Sequence, residues 1–477
     1  MATKTKTKSR PASMQSANYH AYLDNWPEAP KTVRVRQVPL SAQQRQWIEQ
    51  AWSYLDVKKA IDLDVDITNI YSPTGYEKEV NTYVVDYWKR LGVDAFYQEM
   101  DPMQGNAIGR IKGDGSGPTI LLCCPIDTHW RGNIKGDGLQ WGDPMRRDNL
   151  RPAQVEGQTV IGLGSNNDKG LAVAIMMAVE ALQKAGIPFK GTLNAATLAG
   201  GAPATSPDDE PRKNISLTAG LFHALTRGIT GDYALFHKPG YHVSWEEPGM
   251  NYYRIRVKGD PMYMANESNK QMAYRVIQDT ARILQEIDAW SETYRQQYAA
   301  GAFRPAISAN GIRAGRPDKP NWSPAISEIF LDMRPAPWMS PMEAKYIFDE
   351  FMNGVLRKYP GMQAEWEMYT AMPGGRTDPD NWIIQSSIRG AQAVEGDKSE
   401  TYEGRGAGQT EAGVLRTWGL PTARISGSPP NPEMPKDIRG FTMSGTYGPY
   451  VVKAAQTMIY AIVDTLTRTR EETGLTY

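Results

Sequence analysis

The sequence predicts an α/β protein interrupted by a block of different character. Two observations lead there. Strand-like and helix-like segments alternate from residue 81 to about 200, and from 251 a polar/apolar alternation takes over until α/β character returns after Pro373-Gly374-Gly375. In order, NTYVVDYWKRLGVDAF (81–96) places Tyr83, Val84, Tyr87, Trp88 and Leu91 on one helical face, with Gly92 ending the helix before a strand. GPTILLCC (117–124) reads as a buried strand. TVIGLGSNNDKGLAVAIMMAVEALQKAG (159–186) runs from a strand through a Gly/Ser/Asn turn into a helix closed by Gly186, and GTLNAATLAG (191–200) is a further strand. In the interrupting block, NYYRIRVKGD is a clean alternating strand, 270–287 a helix, SEIFLDMRP a strand and EAKYIFDEFMNGVL a helix, which suggests a small inserted α+β domain. A helix, GLPTARISGS and a last helix at 452–467 close the chain.

At 477 residues the chain exceeds what one core fills. The expected division is a disordered basic arm (1–40), a catalytic domain in two parts (41–248 and 372–477) and an inserted lid domain (249–371). Fifty-three basic residues balance fifty-three acidic ones. That balance argues against nucleic acid or an anionic membrane as the partner and for a small-molecule substrate. Cys123 and Cys124, the only cysteines, are neighbours in a strand whose side chains point to opposite faces, so they read as reduced and the location as cytoplasmic. No stretch has the length of a membrane span, and the start MATKTKTKSRPASMQ lacks a signal-peptide core.

The motifs SPTGYEKEV, GNAIGRIKGDGSGPTILLCCPIDTHW, WGDPM, VIGLGSNNDKG, DYALFHKPG, RIRVKGD, DMRP and GQTEAGVLRTWGLPT follow one another in a recognisable order. In sequence and spacing they resemble the zinc aminoacylase and carboxypeptidase family that includes acetylornithine deacetylase and succinyl-diaminopimelate desuccinylase. The resemblance runs from about residue 45 to the C-terminus. It implies a mixed-sheet, aminopeptidase-like catalytic domain with a two-zinc site and an inserted ferredoxin-like lid domain that makes a homodimer.

Carried over residue by residue, the resemblance implies that the zinc site is lost. The first ligand His corresponds to Pro125, while the Asp that orients it remains as Asp127. The bridging Asp corresponds to Asn167, the Glu-Glu pair to Gly200 and Gly201, a further acidic ligand to Lys238, and the lid His to Tyr263. The last ligand His, expected near SPPNPEMPKD, is missing. Zinc needs carboxylate, imidazole or thiolate donors, so the expectation is no cofactor. A rearranged single-metal site drawing on Asp168, His129, His237 or the acidic run 208–210 stays open.

Removing two dications from an acid-lined pocket leaves like charges in repulsion, so such a pocket must lose acids or gain a cation. Lys238 supplies the cation, and Asp127 is its expected partner. The pair either acts on substrate or is a structural ion pair. Cys124 is either a nucleophile with His129 as its base or a core residue; Tyr263 is either an oxyanion donor or a lid tyrosine. Asn167, Asp168, His237, Asn321 and Arg334 complete the expected substrate contacts. The leading reading is a metal-independent enzyme, hydrolase or lyase, that cleaves a C–N or related bond in a small carboxylate-bearing substrate. The alternatives are a non-catalytic binding or scaffold homologue and a metallohydrolase with rearranged ligands.

Overall fold

The computed structural model describes residues 33–132, 137, 147–149, 152–202, 217–239, 243–267, 275–299, 303, 305–396, 408–426, 431–438 and 443–476. Most of the basic arm, WGDPM, the acidic run 208–210, His20, His242 and the start of SPPNPEMPKD lie outside the described residues. The chain forms two compact units. One comprises Thr32–Glu247, Gly375–Gly404 and Gly408–Tyr477; the other contains Pro248–Gly374.

The larger unit is built on a mixed seven-stranded sheet in the order Asp94–Asp101, Gln104–Lys112, Thr192–Leu198, Thr119–Pro125, Tyr233–His237, Thr422–Ile425, Val243–Ser244. Its four central strands, from Thr192–Leu198 to Thr422–Ile425, are mutually parallel, and the flanking strands join antiparallel. The unbroken apolar run of Ile120 to Cys124 follows from this position, because a central parallel strand is covered on both faces. The helix Gly170–Ala185 is buried from Gly170 through Leu182, and the helix Gly448–Leu466 packs on Trp382–Glu395 within the same core. At about 1.5–3 kcal/mol for each large apolar side chain removed from water, this core is the main source of stability.

The smaller unit runs strand, helix, strand, strand, helix, strand, the ferredoxin-like order. Its antiparallel sheet is ordered Ala306–Ala314, Ile326–Arg334, Met250–Lys258, Gln363–Met372. Tyr253, Ile255, Val257, Ile329 and Leu331 face helices Val276–Gln297 and Pro341–Lys358, where Phe348 and Trp290 meet them. A capping box between Ser340 and Glu343 starts the second helix. Alternate residues carry a charge ladder in which Arg254, Arg256 and Lys258 pair with Glu328, Glu365 and Glu367. The sequence reading found only two of these four strands. Ala306–Ala314 is an edge strand whose register slips between Ala309 and Gly311, and Gln363–Met372 carries glutamates on its exposed positions. Among the described residues no helix is long and apolar enough to cross a membrane.

Candidate active site

Open parallel sheets present their chemistry at the carboxyl ends of the strands. Here Asp127 lies just beyond Thr119–Pro125, Gly200–Ala202 just beyond Thr192–Leu198, and Lys238 immediately after Tyr233–His237. The hydrogen bond from Ile126 N to Leu198 O (3.1 Å) carries the ladder past the strand end and turns Asp127 toward its neighbour. Asp168 lies in the turn Ser165–Lys169 that opens the helix Gly170–Ala185, and Glu411 lies just before the helix Ala412–Thr417.

Asp127 is fully buried and held by three donors. Gly201 N reaches Oδ1 at 2.8 Å, while Ala202 N at 2.8 Å and Thr74 Oγ1 at 2.6 Å reach Oδ2. Glu77 clamps the same loop from below, accepting from Gly75 N and Gly200 N at 2.9 Å each. Two carboxyl groups thus fix the backbone at Gly200 and Gly201, where the resemblance would place the catalytic Glu pair. Gly201 has no space for a side chain: a Cβ there would lie 1.9 Å from Pro125 Cβ and 2.6 Å from Glu411 Oε1.

The expected Lys238–Asp127 ion pair is corrected by this geometry. The backbone amides take Asp127, and the Lys238 ammonium instead donates to Asp168 Oδ1, both groups being buried. Burial alone would lower the Lys238 pKa, but Asp168, Glu411 and Asp127 outweigh it and hold the ammonium above its ordinary range. Burial, opposed by Lys238, leaves the Asp168 carboxyl raised to about 7. Glu411, whose buried side-chain oxygens have no side-chain partner among the described residues, is raised to about 8 by burial, again against the pull of Lys238. Glu77 is raised too, by burial and by the charge of Asp127.

Other expected residues fall variously. His129 is half-buried, and burial together with the Lys238 charge keeps its imidazole neutral near pH 7. Cys124 is corrected as a nucleophile: complete burial, then the charge of Asp168, pushes its thiol well above the ordinary range, so no thiolate is available. His237 is corrected as a substrate contact, because its buried ring bonds through Nδ1 to Ile425 O at 2.9 Å inside the sheet. Asn167 donates to Met443 Sδ at 3.2 Å and leaves Oδ1 unpartnered. Tyr263, Asn321 and Arg334 belong to the smaller unit. There Tyr263 is exposed and packs on Trp322, Asn321 accepts from Met264 N through its main-chain carbonyl, and Arg334 forks onto Asp332 with two contacts of 2.7 Å. Sequence reasoning missed Glu411 and Glu77. Both stand in motifs that carried the resemblance, GQTEAG and TGYEKEV, and the available signal was an acid next to small or apolar residues that fold inward.

The donor set does not fit the paired metal that the resemblance implies. Pro125 and Gly200 bring no donor side chain, Gly201 excludes one, and an ammonium stands where a carboxylate ligand is expected. Among the described residues no group of three or more His, Cys, Asp or Glu side chains has an arrangement able to hold a metal ion.

No family profile matches the chain. Over 83 residues it is 39% identical to an assigned LysW-lysine/LysW-ornithine hydrolase of Thermococcus kodakarensis, a match spanning 16% of this chain and 21% of that protein. Human carnosine dipeptidase 1 shares the fold with a TM-score of 0.67 at 12% identity, over 90% of this chain and 100% of that one. The Bacillus subtilis YxeP protein, a dinuclear metal-binding peptidase of the M20 family, does so with a TM-score of 0.56 at 13% identity, over 87% and 99%.

Two outcomes are expected from the site's packing and titration. Gly201→Ala forces a methyl group into Pro125 and should cost more than about 2 kcal/mol in chemical denaturation, whereas unchanged stability would show that the loop has slack. Glu411 has a folded pKa above its unfolded value, so its contribution to stability is present at acid pH and is lost as pH rises through about 8. Glu411→Gln, a neutral isostere of the acid, should therefore raise Tm at about pH 8.5 and leave it nearly unchanged at about pH 5. An equal shift at both pH values would contradict the buried-acid reading.

The chain is therefore built on the scaffold of M20-type peptidases, with Pro125, Asn167, Gly200, Gly201 and Lys238 at the positions where the resemblance places ligands and base.

Proposed function

We propose that this chain is a metal-independent enzyme that cleaves a C–N, amide-type bond in a small substrate, with Lys238 and Asp168 at its centre. The observation that carries this reading is the buried Lys238 ammonium bonded to Asp168 at the carboxyl end of the central parallel strands. A metal in such a site would polarise a carbonyl and activate water. Here the same two tasks fall to two side chains. The ammonium has three N–H bonds and gives one to Asp168, so it can donate another to a substrate carbonyl or carboxylate oxygen. The Asp168 carboxyl, raised to about 7, is matched to proton transfer near neutral pH. Water attacks the carbonyl carbon while Asp168 takes its proton, charge collects on the oxygen facing Lys238, and the C–N bond breaks as the proton passes to the departing nitrogen. The thermococcal relative's name, a hydrolase of lysine- or ornithine-bearing conjugates, supports the reaction type, although the match covers only a fifth of that protein.

Incubation with small N-acyl amino acids, dipeptides and ureido acids in the presence of chelator, followed by detection of newly released amine, tests the reaction. Turnover that survives chelation, in protein holding well under one metal ion per chain, is expected; turnover that requires added zinc or manganese would refute it. Lys238→Met should lower turnover by about 10²–10³-fold, the usual loss when one oxyanion donor is removed. It should also cost about 3–5 kcal/mol where Asp168 stays charged and unpaired. The double variant with Asp168→Asn should recover stability and remain inactive. If it regains activity, the pair is scaffold.

The smaller unit has Ala306–Ala314 and Gln363–Met372 as the edges of its sheet, and we infer that one of these edges pairs across a two-fold axis in a homodimer. Light scattering should give twice the 53.1 kDa chain mass at micromolar concentration, and a monomer mass would reject the pairing.

A further inference from the structure

We propose that the buried cluster around Lys238 binds its substrate through a cationic amino group, received by the carboxyl oxygens of Glu411, which have no side-chain hydrogen-bond partner among the described residues. This rests on the Lys238–Asp168 reading and adds the chemical class of the group recognised.

The argument is a count of donors and charges. Glu411 is 1% exposed and, among the described residues, only its own backbone N–H acts on its carboxyl as a donor; Asp168 is 0% exposed and its Oδ2 has no partner among them. On the residue before Asp168, Asn167 Oδ1 is likewise buried and has no partner among the described residues. A carboxyl oxygen can meet such a deficit by taking a proton, and a donor that enters with a substrate meets it as well. Among the described residues Lys238 is the cation of the cluster, and it hydrogen-bonds to Asp168 Oδ1. The groups facing Glu411 are Lys238 beyond the strand Tyr233–His237, Asp168 before the helix Gly170–Ala185, Asp127 beyond the strand Thr119–Pro125, and the neutral thiols of Cys123 and Cys124 on that strand. Three carboxyl groups thus surround one ammonium. The raised values of Asp168 and Glu411 mean that, near neutral pH, protons stand in for missing positive charge.

A primary ammonium brings what is lacking, three N–H donors and one positive charge, and a guanidinium or amidinium would do the same. A carboxylate entering alone would add a further negative charge beside three acids and supply no donor. On binding the ammonium, Glu411 gives up its carboxyl proton to solvent and receives N–H bonds in its place. The amino-bearing part of the substrate therefore lies toward Glu411, with the scissile carbonyl toward Lys238.

The test uses the full chain with n-butylammonium, butanamide and sodium butyrate as probes, read by thermal shift and by calorimetry in buffers of different ionisation enthalpy. Butylammonium should stabilise the protein, release close to one proton per molecule bound near pH 7, and bind at least about fivefold more tightly at pH 8.5 than at pH 6.5, because Glu411 must ionise to receive it. Glu411→Gln should weaken butylammonium at least about tenfold and abolish proton release, with the proton count on unaltered protein standing as evidence even if the variant folds poorly. Stabilisation by butyrate but not butylammonium would overturn the inference while leaving the Lys238-centred reaction intact. Butylammonium binding without proton release, or with undiminished affinity in Glu411→Gln, would also overturn it. Full turnover in Lys238→Met would remove the reaction and this inference together.

Discussion

The site is governed by charge balance in a buried place. Asp127, Asp168, Glu411 and Glu77 converge beneath the carboxyl ends of the central strands, and Lys238 is the cation that electrostatically links the first three. Unscreened by water, such acids cannot all ionise. The structure answers in three ways. Backbone amides and Thr74 solvate Asp127, the Lys238 ammonium pairs with Asp168, and protons neutralise what is left. The glycines at 200 and 201 belong to the same solution: Gly200 takes a left-handed φ of 68° while its amide reaches Glu77, and a Cβ on Gly201, whose amide reaches Asp127, would collide with Pro125.

This arrangement explains how an M20-type scaffold can carry a different centre without a change of fold. The strands, the turn Ser165–Lys169 and the helix Gly170–Ala185 still deliver side chains to one spot. Under the proposed function, an ammonium and labile protons supply the positive charge that dications would bring. A fixed metal is a strong, permanent Lewis acid; an ammonium is weaker but brings directional N–H donors.

Much of this was readable in the sequence because it lay in motifs. The α/β frame followed from periodicity, and the replacement of a ligand by Lys238 stood out within FHKPG. The partner of Lys238 was not readable. Whether Asp127 or Asp168 pairs with it depends on which carboxylate the amides of Gly201 and Ala202 capture first, a property of backbone direction at a strand end that no residue identity encodes. Glu411 and Glu77 escaped for a related reason: a lone acid between small residues looks the same whether it faces solvent or core. Cys124 misled in the opposite direction, since its place at a strand end suggested access while both faces of that strand are covered. The strands Ala306–Ala314 and Gln363–Met372 were hidden by a register slip and by exposed glutamates that blunt the apolar signal.

The central claim is that Asp168 and Glu411 share a buried site with a charged lysine and hold protons near neutral pH. The direct measurement is a carbon-13 titration of labelled aspartate and glutamate carboxyls, with the two signals assigned through Asp168→Asn and Glu411→Gln. The account predicts midpoints of about 7 for Asp168 and about 8 for Glu411. Both signals titrating below about pH 5, in the ordinary carboxyl range, would contradict it.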